Sequence, residues 1–376
     1  FYYTVSVIVP RKIEGEEVKK LVESNLLKNK LQIECSTVKS QGKRTIIRYI
    51  FFLLELYVTE TFRLCFSVHE KNKSNIFISY EDGSRALQQT FDENYKNVKP
   101  VWGSDRDYLV FISNKSGAYM LNMLDIKAGK IKEITSPSTF KNINSFCLFP
   151  KGRKIIFSAE YKDESNLFCL DIQTLKHSQL TFSKLCEKKY RPKCSNDGKR
   201  IAFLTEANDK RNLCIMDIDG FNYKNLTFTG DVRDFNWSYD DNFIVYIEEN
   251  SFKVCKLSLL DLGDLHETNV NLDKSICKIH SAVYSPINNF IAFVGDNLTT
   301  EDVYIFIAEE NKVLNITHNQ PNVRIKSIAW KQDDSKIYYC SNELKYYNLY
   351  SIYLSNLYKK QLTNIESSNI ELCYKY

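Results

Sequence analysis

Long apolar segments are missing from this 376-residue chain. The longest apolar run extends from Ile46 to Val58, and it contains Arg48 and Glu55. A helix needs about 20 apolar residues to span a bilayer, so this run is too short for a membrane anchor. We expect it to form a helix packed between two domains, and we expect no transmembrane segment.

Motifs of common enzymes are also absent. The sequence has no G-x-S-x-G nucleophile elbow, no H-E-x-x-H zinc motif and no P-loop. Its five histidines are scattered, and none has a second His or a Cys at a metal-ligand spacing. The acidic stretches 217–220 and 239–242 lack the spacing and terminal Glu of a calcium loop. We predict that the protein is not an enzyme and has no catalytic residue, metal or cofactor.

The cysteine and charge patterns argue against two further classes of protein. The eleven cysteines form no C-x-x-C pair, and an odd count without framework spacing argues against a protein built on disulfides. We expect most of them to be small buried apolar residues. The net charge is only +5 and no basic block stands out, so nucleic acid is not an expected partner.

What the sequence does contain is a repeated pattern of short strands. Its clearest copy is Arg191–Thr227, where apolar residues alternate and the breaks carry Asn, Asp and Gly. The copy predicts four strands, RPKCS, RIAFLT, LCIMDI and KNLT, with a polar loop at 206–212. One four-stranded unit cannot bury both of its faces, so it needs copies of itself.

Seven copies follow one another from Phe62 onward. The second strand of each carries an aromatic marker, at steps of 43 to 47 residues: Phe66, Phe111, Phe157, Phe203, Tyr246, Phe293 and Tyr339. Nine residues before the last six lies an inner-strand marker: Trp102, Leu148, Cys194, Trp237, Tyr284 and Trp330. Repeats of about 45 residues with four strands are typical of a β-propeller blade. A β-sandwich has regular turns but no reason to repeat markers in register, so we predict an all-β, seven-bladed β-propeller over residues 62–376.

The two ends of the repeat region complement each other. The first copy has no inner strand before Phe66, and the C-terminal LCYK matches the inner strand around Trp330. We predict that the C-terminal strand completes the first blade and closes the ring, which removes exposed sheet edges.

Residues 1–61 do not carry the repeat, and we predict a small α/β domain for them. YTVSVIVP and LQIECSTV have the composition of strands. Residues Ile13–Lys28 have apolar residues at helical spacing and glutamates in the first turn. Lys43 to about Glu60 is predicted as a second helix.

These motifs resemble those of the TolB family. The closest copies of its repeat are RPKCSNDGKRIAFLT and NLCIMDIDGFNYKNLT, and the start of the chain resembles a shortened TolB N-terminal domain. TolB has six blades, so six blades is the alternative count. The resemblance implies a periplasmic scaffold that docks cell-envelope proteins of a Tol-Pal system, with a peptidoglycan-associated lipoprotein as one possible partner. The signal peptide would have been removed, and the chain is either a mature product or a fragment.

Alternatives to this function stay open at the level of sequence. Related repeats occur in the propellers of prolyl-oligopeptidase-type peptidases, so the chain could be the propeller of such an enzyme, or of another enzyme with a site in its channel. The eleven unpatterned cysteines leave a cytoplasmic location as the alternative to the periplasm. We expect a monomer.

A partner-binding surface is predicted at one end of the ring. The loops between second and third strands lie there, at 159–165, 206–212 and 296–302, and the segments that lead into the inner strands open on the same end. Charged residues in these segments are the candidate contacts for an acidic partner: Lys99, Arg191, Arg233, Arg324, Asp209, Lys210 and Arg211.

Overall fold

The computed structural model describes residues 2–10, 32–41, 44–52, 62–104, 106–150, 152–182, 187–228, 230–250 and 254–374. Every regular element in these residues is a β-strand. None of the residues so described forms a helix that could span a bilayer. Contacts between residues divide the chain into an N-terminal part, Phe1–Phe62, and a repeat region, Arg63–Tyr376.

The N-terminal part contains a sheet of three antiparallel strands. These are β1 (Tyr2–Pro10), β2 (Gln32–Gln41) and β3 (Arg44–Phe52). β1 and β2 coincide with the two predicted strands, and β3 pairs with both of them. The predicted second helix is therefore wrong over β3, because its isoleucines and aromatic residues favour a central strand. The predicted helix Ile13–Lys28 lies outside the described residues.

In the repeat region the strands form seven four-stranded antiparallel units. The inner strands, in the order of the units, are β31 (Asn369–Tyr374), β7 (Asn97–Trp102), β11 (Ile143–Leu148), β15 (Lys188–Cys194), β19 (Asp231–Trp237), β23 (Lys278–Tyr284) and β27 (Ile325–Trp330). The second strands are β4 (Phe62–Glu70), β8 (Tyr108–Ser113), β12 (Lys154–Tyr161), β16 (Arg200–Ala207), β20 (Phe243–Glu249), β24 (Phe290–Asp296) and β28 (Lys336–Leu344).

The third and fourth strands complete each unit. The third strands are β5 (Lys73–Tyr80), β9 (Met120–Asp125), β13 (Glu164–Asp171), β17 (Lys210–Asp217), β21 (Cys255–Asp261), β25 (Glu301–Ile307) and β29 (Tyr346–Tyr353). The outer strands are β6 (Leu87–Gln88), β10 (Lys130–Glu133), β14 (His177–Gln179), β18 (Lys224–Asn225), β22 (Glu267–Asn269), β26 (Lys312–Asn315) and β30 (Lys359–Gln361). Units three and four share one sheet, because Ser165 pairs in parallel with Lys188.

The C-terminal strand belongs to the first unit, as the sequence predicts. β31 pairs antiparallel with β4, and Leu372 lies opposite Phe66. β31 also contacts the inner strands on both sides, β27 and β7. The last strand of the chain thus joins the first and last repeats.

Aromatic residues form the centre of each unit. All seven second-strand markers are at most 2% exposed. In four units the marker stacks on a ring of the neighbouring third strand, at centroid distances of 5.3 to 5.7 Å. Such pairs add about 0.5–1.5 kcal/mol to the burial of the rings. The recurring aromatic is thus the core residue of its sheet.

A threonine recurs two residues after the outer strand in six of the units. The hydroxyl oxygen of Thr227 accepts a hydrogen bond from the backbone N–H of Leu213 at 2.9 Å. The same bond of 2.9 Å occurs in five other units, with the threonines 90, 135, 181, 317 and 363. Unit five differs. The backbone N–H of Val270 donates to Leu257 as that of Leu226 donates to Leu213 in unit four, so Asn271 stands where the other units have the threonine. The sequence pattern that corresponds to KNLT in unit five is LHET at residues 265–268, and it is therefore out of register with the structure by three residues.

Two of the three predicted loops are tight turns instead. β16 continues to Ala207 and β17 begins at Lys210, so only Asn208 and Asp209 turn the chain, both with positive φ. Lys162 and Asp163 do the same between β12 and β13, and the third loop is shortened to residues 297–300. Two residues with positive φ are the conformation of a type I′ hairpin, which Asn and Asp tolerate. The polar residues that suggested loops therefore belong to the paired ends of the strands.

Neighbouring units are joined through their inner strands. The indole N–H of Trp237 donates to the backbone oxygen of Lys193 at 2.9 Å, and that of Trp330 donates to Val283 at 3.1 Å. In both cases the acceptor is the residue just before the inner-strand marker of the preceding unit. The side chain of a marker therefore bridges two units.

Candidate partner-binding site at the inner-strand bulges

Six of the seven inner strands contain a β-bulge at the same level. In each, the pairing with the second strand shifts by one residue, three or four positions before the inner-strand marker. The residues at the shift are Lys99, Asn144, Arg191, Arg233, His280 and Lys326, which we call the bulge ring. Bulges aim a side chain away from the regular pleat and are frequent next to binding sites.

The sequence accounts for two of the bulges directly. Lys99 and Arg191 are each followed by a proline, which has no N–H to donate to the ladder. Both residues also have positive φ, 53° and 50°. A basic residue in this conformation leaves the strand and places its side chain outside the sheet.

Successive members of the bulge ring contact one another across the units. The ammonium of Lys99 donates to the backbone oxygen of Asn144 at 2.9 Å. The guanidinium of Arg191 donates to the backbone oxygen of Arg233 at 2.6 Å. The backbone N–H of Arg191 donates to the hydroxyl oxygen of Ser145 at 2.8 Å. The inner strands of a propeller surround its central channel, and these contacts lie along those strands.

A pocket of about 630 Å³ opens beside the ring at units four to six. Its walls include Arg191, Arg211, Arg233, Lys278 and His280, together with one carboxylate, that of Glu249. The pocket is therefore lined mainly by donors of hydrogen bonds that can carry positive charge, the chemistry that binds carboxylates and phosphates.

Ion pairs fix the arginines of this pocket. Arg211 binds Asp231 with two bonds, at 2.6 and 2.8 Å. Arg233 lies between Asp231 at 2.8 Å and Glu249 at 2.9 Å. Burial raises the pKa of Asp231, but its bonds to Arg211 and the charge of Arg233 outweigh burial and hold that pKa below its ordinary value. The arginine groups are thus preorganised and still partly exposed.

One wall continues into a network of buried charges. The imidazole Nε2 of His280 lies 3.6 Å from Asp296 and 3.4 Å from Glu301, and both acidic residues are 8% exposed. Ligand atoms of these three residues lie within 4.8 Å of one another, close enough to hold a metal ion. The guanidinium of Arg324, 3.6 and 3.8 Å from the two carboxylates, supplies positive charge there.

The structure brings together only some of the predicted contacts. Lys99, Arg191 and Arg233 belong to the bulge ring, and Arg211 lines the same pocket. Asp209 and Lys210 lie at the tight turn between β16 and β17. Arg324 precedes β27, and the ring member of that unit is Lys326. Whether these residues bind a partner stays a prediction.

Sequence reasoning did not single out three ring members, Asn144, His280 and Lys326. Each lies four residues before the inner-strand marker of its unit. Alignment of the repeats on their markers would have found all three positions, because Arg233 stands at the same spacing before Trp237.

Comparisons with known proteins agree with this fold. A family model described as the TolB beta propeller domain matches residues 56–240. The Tol-Pal system protein TolB of Francisella tularensis is 31% identical over 87 residues, which are 22% of this chain and 19% of that protein. The chain thus matches about a fifth of the length of that curated relative.

Two solved structures extend the likeness over most of the chain. TolB from Acinetobacter baumannii is 14% identical, with a TM-score of 0.52 over 74% of this chain and 78% of that one. An oligogalacturonate lyase from Vibrio parahaemolyticus is 12% identical, with a TM-score of 0.60 over 85% and 96%. Identities this low show the fold alone, and similar folds include an enzyme. The predicted all-β propeller is confirmed, while its count of seven blades stays a prediction from the repeats. The chain carries a TolB-like β-propeller.

Proposed function

We propose that this propeller is a non-catalytic scaffold that docks an acidic surface of a protein partner on its bulge ring. The observation that carries the proposal is the recurrence of Lys, Arg or His at five of six equivalent bulges. Opposite charges across an interface speed the encounter and set specificity.

The chemistry of the pocket supports binding rather than proton transfer. Its arginines stay protonated at any physiological pH, and three of its basic groups are held by carboxylates or backbone oxygens. Arginine forks match carboxylates with two parallel bonds. Aspartate and glutamate side chains of a partner protein fit such a surface.

We place this activity, as part of the same proposal, in the periplasm within a Tol-Pal system. The support is the name of the curated relative and the TolB-like propeller. A peptidoglycan-associated lipoprotein is then the first partner to test, with the scaffold acting as a monomer.

Charge reversal of the bulge ring tests the proposal. The variant K99E/R191E/K326E changes three exposed members whose side chains lie outside the hydrophobic core. Each reversal at the edge of an interface is worth roughly 0.5–1 kcal/mol, so binding weakens about 10–100-fold in all. The measurement is calorimetric titration with the purified soluble domain of a peptidoglycan-associated lipoprotein from the same organism, at low and moderate salt.

A control with the same change in charge uses outer strands instead. K130E/K176E/K224E reverses three exposed lysines at the outer edges of units two to four. We expect its affinity to stay within about twofold of the wild type, because distant charges are screened beyond roughly 10 Å. Equal losses in both variants, or unchanged binding by the ring variant, would remove the proposal.

A second candidate is the propeller of an enzyme, such as a prolyl-oligopeptidase-type peptidase or an enzyme with a site in its channel. The observation in its favour is the cluster of His280, Asp296 and Glu301 beside the pocket. Incubation with oligogalacturonate, with and without a divalent metal, tests a site within the propeller. Product formation that the H280A variant loses supports this candidate, and no product argues against such a site.

A further inference from the structure

Units three and four lack the tryptophan contact that joins unit four to unit five and unit six to unit seven. The inner-strand marker of unit four is Cys194, where units five and seven carry Trp237 and Trp330. Those tryptophans reach the residue just before the marker of the preceding unit. The corresponding residue of unit three, just before its marker Leu148, is Cys147.

The two cysteines meet at this place. Their Sγ atoms are 3.2 Å apart, although 47 positions separate them in the chain. They lie on β11 and β15, two inner strands in contact with each other. Both thiols are free, and a disulfide needs the sulfurs to approach to about 2.0 Å. Closing this gap takes a shift of roughly 1 Å.

We propose that Cys147 and Cys194 are an oxidative modification site, at which a disulfide forms and links unit three to unit four. The cross-link takes the place of the hydrogen bond that a tryptophan marker makes between other units. Its reaction partner is a disulfide-containing oxidant, either a small molecule or a protein.

The reaction proceeds by thiol–disulfide exchange. The hydrogen bond between Cys194 and Cys147, and then burial, keep the pKa of Cys194 above its ordinary value, so Cys194 remains a thiol to higher pH. The thiolate of Cys147 attacks the oxidant and releases one of its two thiols. Cys194 then loses its proton and attacks the Sγ of Cys147, which releases the second thiol. Two electrons pass to the oxidant, whose two thiols take up the two protons.

A third cysteine offers the strongest competing pair. Cys169 on β13 packs against the same cluster of apolar residues as Cys147 and Cys194. Burial raises the pKa of the Cys169 thiol. The contact of 3.2 Å favours the Cys147–Cys194 pair, so the experiment has to tell the two apart.

Peptide mapping of the whole chain gives a direct test. The reduced protein is treated with oxidised glutathione in its folded state, denatured, alkylated with iodoacetamide and digested with trypsin. The sequence places Cys147 on peptide 142–151, Cys194 on peptide 194–199 and Cys169 on peptide 163–176. We expect the alkylated forms of the first two peptides to fall together while their cross-linked product appears and peptide 163–176 stays alkylated.

Two variants make the assignment firm. C147S should abolish the cross-link, and C169S should leave it unchanged. Full alkylation of Cys147 and Cys194 after oxidation would overturn the proposal, as would a cross-link between Cys169 and Cys194. The mapping of the wild type decides the matter even where a variant fails to fold.

Discussion

The carboxylate of Asp241 offers a sharp test of how neighbouring units are held together. It lies in the turn before β20 in unit five and is 4% exposed. Its Oδ1 accepts the backbone N–H of Asn196 at 2.7 Å and the side-chain amide of Asn196 at 2.9 Å. Its Oδ2 accepts the backbone N–H of Asp197 at 2.8 Å. One buried side chain thus satisfies three donors of unit four.

The variant D241N removes the negative charge and one of the two acceptor oxygens while it keeps the shape of the side chain. Asp241 has a φ of 61°, which asparagine tolerates and alanine does not. The amide has only one oxygen, so its NH₂ group must face at least one backbone N–H of unit four. Loss of one hydrogen bond to a charged group costs about 1.5–3 kcal/mol. We expect a destabilisation of about 2–3 kcal/mol in total.

Urea unfolding followed by tryptophan fluorescence measures this loss, with the slope checked for two-state behaviour. In a domain of this size 1 kcal/mol corresponds to about 2 °C, so the melting temperature should fall by about 4–6 °C. The control is D219N, at an exposed turn between β17 and β18 that makes a local bond to Phe221. The free energy of unfolding of D219N should stay within about 0.5 kcal/mol of that of the wild type. Equal stability of D241N and D219N would refute the reasoning.

Three further outcomes follow from the same contacts. W330F removes the bond to Val283 and leaves a void at a fully buried position, so chemical unfolding should show a loss of about 2–4 kcal/mol. T227V leaves the buried N–H of Leu213 without its acceptor, and we expect a loss of about 1–3 kcal/mol by the same measurement. The depressed pKa of Asp231 stabilises the fold above the unfolded pKa of about 4, and this contribution disappears as pH falls through the folded pKa. D231N should therefore be less stable than the wild type at pH 7, and the difference should shrink in unfolding curves recorded below about pH 4.

The fold could be predicted because its markers report local requirements that recur. A residue such as Phe203 is needed to fill the centre of a sheet, and Thr227 is needed to accept one N–H. Both requirements act within a single unit, so they leave a periodic trace in the sequence. The match of the C-terminal strand to the inner strand around Trp330 is a trace of the same kind.

The errors have a common physical origin. Residues 206–212 are polar, and polarity alone cannot separate a loop from the exposed end of a paired strand. The run that forms β3 has apolar residues at successive positions, and such a run has no period that separates strand from helix. In both cases the deciding factor is pairing with another strand, which a single stretch of sequence does not contain.

The bulge ring was only partly predicted for a related reason. A bulged residue stands outside the ladder of paired backbone groups and contributes nothing to the core. Its side chain is therefore free to vary, and the six positions carry Lys, Asn, Arg, Arg, His and Lys. The second-strand markers do not vary in this way, because they fill the core, and all seven are Phe or Tyr. A propeller can thus change the chemistry of this ring at little cost in stability. Under the proposed function, K99E/R191E/K326E should bind its partner about 10–100-fold more weakly while its unfolding midpoint stays close to that of the wild type.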